Sequence, residues 1–235
     1  MKLGLVLAVL ILGAAIECSA APRTQSGPPD PHAASLRRME VAIKYLQLAQ
    51  VPVGKAVRVY FNGTCDARDH VLFPKINIQP PVNGETGLGA IRHIFRNDRK
   101  VTVTEDRSGM IRIRIGDISA AILNTRLSLL RLSQDARYNP NGPDGAIDAV
   151  LGAASVKTAM DRFRVRQMSS FFIIIWQQPM SSLPHLPSSM KNVTVDQALD
   201  SIARTFRGNV MYGECTKPDG SGLIDITFQP LHTGE

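Results

Sequence analysis

The chain lacks the short motifs that most often mark catalysis. It has no CxxC, no HExxH, no Walker loop and no GxSxG. The Gly87–Leu88–Gly89 stretch is not a dinucleotide fingerprint, because the third glycine and the βαβ context are missing. The five histidines, at positions 32, 70, 93, 185 and 232, show no metal-ligand spacing. No aromatic residues interleave with the arginines, which argues against a stacking platform for single-stranded nucleic acid. Beyond the N-terminus no apolar run is long enough to span a bilayer. The strongest, FFIIIW at residues 171–176, has six residues and reads as a buried central strand. These absences point to a chain that is not an enzyme and needs no cofactor.

The N-terminus has the layout of a secretory signal peptide. Lys2 precedes an apolar run from Leu3 to Ile16, and small residues follow at CSAA. Cleavage is expected after Ala20 or Ala21, and an uncleaved membrane anchor is the alternative. Cys18 is a poor lipoprotein acceptor, because Glu17 stands where a small residue is required. The expectation is therefore a periplasmic or secreted protein, membrane-associated only if the signal stays uncleaved. Of the three cysteines, Cys65 and Cys215 survive processing. An even pair in an oxidising compartment reads as a disulfide, with two free thiols as the alternative.

Along the chain, residues 1–20 form the signal and 21–31 a Pro-rich leader. Residues 32–73 form an N-terminal helix and strand. In the helix, Leu36, Met39, Ile43, Leu46 and Ala49 share one face, and Pro52 and Gly54 end it. The stretch KAVRVYF then alternates as a strand, with Val57, Val59 and Phe61 on one side. Residues 74–116 and 184–235 look like two copies of one module, and 117–183 is a middle α/β section. Leu88, Ile91 and Phe95 repeat as Leu199, Ile202 and Phe206, with the spacing of one helical face. SGMIRIRI at 108–115 matches SGLIDITF at 221–228, with the offset changed by two residues. KINIQ at 75–79 matches KNVTV at 191–195 as an opening strand. Thr194 or Asp196 is expected to cap the second helix and Gly208 to end it. In the middle section AAILNTRLSLLRL fits helix and strand equally. Ala146–Leu151 and Val156–Arg162 read as short helices, the second capped by Ser155. The fold class is α+β, built of small βαβ or βαββ modules.

The net charge of +7 favours an anionic partner, or serves solubility alone. Arg92, Arg96, Arg99, Lys100, Arg112 and Arg114 cluster in the first copy, and together they could form an anion-binding face. The second copy has Asp225 and Thr227 where that match puts Arg112 and Arg114, so the fold does not require this charge. In CDARDH, Cys65, Asp69 and His70 suggest a minor enzyme reading, which requires a free, reactive Cys65. The same stretch offers Asp66 and His70 as metal ligands only if they share a helix face, and a solvated loop is the plainer reading.

The stretch LPSSMKNVTVDQALDSIARTFRGNVMY resembles the secretin and TonB N-terminus short domain and the related N-domains of secretins. Val193, Val195, Ala198, Leu199, Ile202, Phe206 and Gly208 fill its pattern over about forty residues, and a weaker copy spans Lys75–Ile115. The resemblance implies a non-catalytic module that docks onto envelope partners or assembles into rings. The chain departs from large family members in having no long β-barrel region. The resulting expectation is docking onto an envelope protein in a secretion, pilus or transport assembly, with a homo-oligomer allowed. The alternative is a module that binds an anionic ligand, DNA or lipid head groups, through the basic face of the first copy.

Overall fold

The computed structural model describes residues 30–49, 55–138, 142–168 and 184–230. The signal segment, most of the leader, Pro52 and Gly54, and the strand expected at residues 171–176 lie outside the described residues. Helix α1 (Pro31–Leu48) leads into strand β1 (Val57–Asn62). A small hairpin follows, β2 (Thr64–Cys65) and β3 (Val71–Leu72). Then come α2 (Gly87–Phe95), β4 (Val101–Glu105) and β5 (Ile111–Ile115). The middle section gives β6 (Arg126–Arg131), α3 (Gln134–Arg137), α4 (Gly142–Gly152), α5 (Ala154–Arg162) and β7 (Val165–Gln167). The last part holds β8 (Ser189–Thr194), α6 (Val195–Thr205), β9 (Gly208–Thr216) and β10 (Gly222–Pro230). Among the described residues no helix is long and apolar enough to cross a membrane.

Six strands make the main sheet, in the order β4-β5-β1-β9-β10-β7. It is two copies of one pattern laid side by side. In the first, β4 pairs antiparallel with β5, and β5 pairs parallel with β1. In the second, β9 pairs antiparallel with β10, and β10 pairs parallel with β7. A constant shift of 111 residues carries the pair Val101–Ile115 onto Tyr212–Ile226, register included. The same shift carries the turn glycine Gly109 onto Gly220, and both have positive φ. The hairpins therefore align without the two-residue change expected from the sequence. The opening strands are also different from those expected. Residues 75–79 form no strand, and β8 pairs with β6 in a separate two-stranded sheet. The opening strands are β1 and β7, whose Val57 and Val165 meet the equivalent residues Ile111 and Gly222. A repeat read in the residues next to each helix misses these strands, because an insertion separates each pairing strand from its helix.

The two copies point in opposite directions. β1 and β5 run one way, and β10 and β7 run the other. A half-turn about an axis across the strands relates them, so their helices fall on opposite faces of the sheet. On one face Ile91, Ile94 and Phe95 of α2 pack on Val57, Val59, Phe61, Ile111, Ile113 and Ile115, with α1 beside them. On the other, Leu199, Ile202 and Phe206 pack on Val210, Tyr212, Ile224, Ile226 and Phe228, with α4 and α5. Full burial of Leu199 and Ile202 contributes about 1.5–3 kcal/mol each. Both faces are thus covered, and β1 is buried along nearly its whole length.

Local signals explain the helices. Asp30 caps α1 by accepting from the His32 N–H at 3.1 Å, and Pro31 opens it. Thr194 forms a capping box with Gln197, at 3.2 and 2.9 Å, so the β8 strand converts directly into α6. Ser155 does not cap α5; Ala153 occupies that position with no side-chain bond. Nor does Gly208 close α6 with a left-handed turn. Arg207 takes the positive φ, and Gly208 begins β9 under the Phe228 ring, where a Cβ would come within 2.2 Å. The ambiguous AAILNTRLSLLRL stretch is a turn followed by β6.

Candidate functional site

Cys65 and Cys215 are joined in a disulfide, with their Cα atoms 5.4 Å apart. The bond pins the β2–β3 hairpin onto β9. This removes the free thiol that the enzyme reading needed. The rest of CDARDH is held by local pairing. The Asp66 carboxylate lies 2.9 Å from His70 Nδ1 and accepts from the backbone N–H groups of Arg68 and His70. Its partial burial would raise its pKa, but these hydrogen bonds outweigh that and hold it below the usual value. Asp69 pairs with Lys217 and, at 3.6 Å, with Arg166.

The six basic residues do not form one surface. Arg92 on α2 and Arg96 just past its end lie on one side of the sheet, and Arg96 donates to Gln79 Oε1 at 3.1 Å. Arg99 and Lys100 lie exposed in the turn before β4. Arg112 and Arg114 share a face of β5, as the alternation predicts, but it is the opposite face. Arg114 places its guanidinium 5.2 Å from the centre of the Tyr60 ring.

Arg112 is engaged in an ionic seam between the two copies. Arg58, with no exposed surface, donates Nη1 to Asp200 Oδ1 at 2.6 Å and to the Asp196 carbonyl at 3.0 Å. Arg112 donates Nη2 to Asp200 Oδ2 at 2.6 Å and to Asp106 Oδ2 at 3.2 Å. The Tyr60 hydroxyl donates to Asp196 Oδ1 at 2.9 Å and accepts from Arg112. Burial pushes the Tyr60 phenol well above its ordinary pKa, against the pull of Arg58, so it remains a donor. Burial disfavours the Arg112 charge, but the bond to Asp200 more than offsets this and raises its pKa. Within this network two guanidiniums face three carboxylates, so Arg58 and Arg112 are committed to partners inside the chain. This network was missed in the sequence. Its signals were an arginine inside the VRVYF strand and Asp196 and Asp200 one helical turn apart on α6.

The other notable feature is the edge formed by β4. Gly116 N–H bonds to Lys100 C=O at 2.9 Å, and Asp106 N–H to Met110 C=O at 3.0 Å. The even-numbered residues between them therefore face β5, and Val103 and Glu105 turn their backbone groups outward. Val101 also faces outward, but its N–H bonds to the Asp98 carbonyl at 3.1 Å. No described strand pairs with this side of β4. The strand has no proline, and its residues alternate between half-buried and exposed.

No protein-family model, no curated protein and no solved structure matches this chain.

Proposed function

We propose that this is an exported, non-enzymatic envelope protein that docks other proteins by edge-strand pairing, in the manner implied by its resemblance to the secretin and TonB short domain. The observation that carries this reading is the open β4 strand, whose Val103 and Glu105 backbone groups face outward at the end of a six-stranded sheet. An incoming extended segment completes those groups and gains affinity from main-chain hydrogen bonds. The disulfide agrees with an oxidising compartment. The anionic-ligand reading draws less support, because Arg112 is committed to Asp200 and the remaining basic residues are divided between two faces.

The test is retention of envelope proteins by the mature protein at low and high salt, with Val103→Pro alongside. Proline there deletes an outward N–H without touching the β5 ladder. A protein retained at high salt by the wild type and lost with Val103→Pro is the expected result. Retention of only nucleic acid or lipid, lost on raising salt, overturns the proposal in favour of anion binding.

A further inference from the structure

The β4 edge is complementary to itself. The geometry points to a second copy of this chain as its occupant, in an antiparallel pair centred on Val103; this inference rests on the edge-docking reading above. Placing Val103 against Val103 of the second copy makes it a hydrogen-bonded pair, and each exchanges its outward N–H and C=O. Val101 then opposes Glu105, and each Glu105 N–H donates to a Val101 carbonyl. Thr102 opposes Thr104 in the close, non-hydrogen-bonded pairs.

One step further out, Lys100 opposes Asp106. Lys100 has no ion-pair partner among the described residues, and Asp106 is a carboxylate held in its charged form below the usual pKa range. In that carboxylate burial acts to raise the pKa, but bonds from Ser108 and Met110 and the charge of Arg112 outweigh it. The two-fold axis repeats the contact, so one register gives four main-chain hydrogen bonds and two charge pairs. Shifting the register by one hydrogen-bonded step, two residues, shortens the overlap of the five-residue strand and separates Lys100 from Asp106. Such an isologous interface closes on itself as a dimer and would extend the sheet from six strands to twelve.

The test uses the mature, oxidised protein with Thr102→Cys, Thr104→Cys and the double variant. Both side chains are exposed on the strand. In the proposed register only the double variant places cysteines opposite each other, so it alone should give a covalent dimer on mild oxidation. Sedimentation should show a reversible dimer of the wild type. Lys100→Glu should raise its dissociation constant by about tenfold, through two surface charge pairs turned repulsive. A dimer trapped by either single variant overturns this register. A monomer at all concentrations, with no cross-link in the double variant, overturns self-pairing. If a retained envelope protein is still lost with Val103→Pro in that case, the broader docking reading stands; if retention is unchanged, both fall.

Discussion

The two copies share one strand pattern, yet each covers the back of the other by different physics. Behind the second copy, Met211, Cys215 and Leu223 lie under Val71, Phe73 and Phe61 of the first. That seam is apolar and is pinned by the disulfide. Gly213 belongs to it as well, because a Cβ there would come within 2.2 Å of the Phe61 ring. Behind the first copy, the cover is α6, held through Asp196 and Asp200 to Arg58, Tyr60 and Arg112. One seam resists opening by burial and a covalent bond. The other joins buried charges in pairs, so losing one partner while the seam stays shut would leave buried charge uncompensated. At the β5 position of Arg112 the second copy carries Leu223, the constant shift of 111 residues applied. The same backbone site therefore serves either kind of seam.

The largest effect is expected from removing the covalent pin. Cys65→Ser with Cys215→Ser should cost up to about 5 kcal/mol in the chain-entropy model for a separation of 150 residues, read by denaturant unfolding. Asp200→Ala should cost about 3–5 kcal/mol, because fully buried Arg58 loses its best partner. Replacing the pair together, Arg58→Met with Asp200→Leu, should be much closer to neutral. A double change as damaging as the single one would mean that the seam is held by net ionic attraction. Phe73→Ala probes the apolar seam without touching charge and should cost about 3–5 kcal/mol. Thr194→Ala removes the cap of α6 and should cost about 1 kcal/mol, seen as a lower Tm with an unchanged disulfide.

Acid should loosen both seams at their rims, the smallest effect of the set. Asp66 and Asp106 bind protons more weakly in the folded chain than in the unfolded chain. Their stabilisation is complete above the ordinary carboxylate value of 3.8 and drains as pH falls below it toward their depressed values. Unfolding midpoints measured from pH 5 downward should fall over that window. Asp106→Asn should flatten the part due to the ionic seam.

The sequence showed the local features well. The two helical faces, the hairpins though not their offset, a cap at Thr194 or Asp196, and the cysteine pair were readable, since each depends on residues close together or on a simple count. The pairing of strands was not. Val165–Gln167 is too short to show alternation, and the insertions separate each opening strand from its helix. The ionic seam was hidden for a related reason. An alternating strand suggests one face in water, so Arg58 and Tyr60 read as outward. Only the inversion of the second copy, which sets α6 on that side, turns those residues into interior ones.

The β1–β9 junction also orders events during synthesis. The central strand of the sheet cannot acquire its second neighbour until β9 has emerged, more than 140 residues later, and Cys65 waits about as long for Cys215. Through that interval Cys65 lacks the partner it has in the fold, and β1 presents an unpaired edge of backbone N–H and C=O groups. The first copy is therefore closed only when the second copy arrives, and until then its open edge is a place where misassembly can begin.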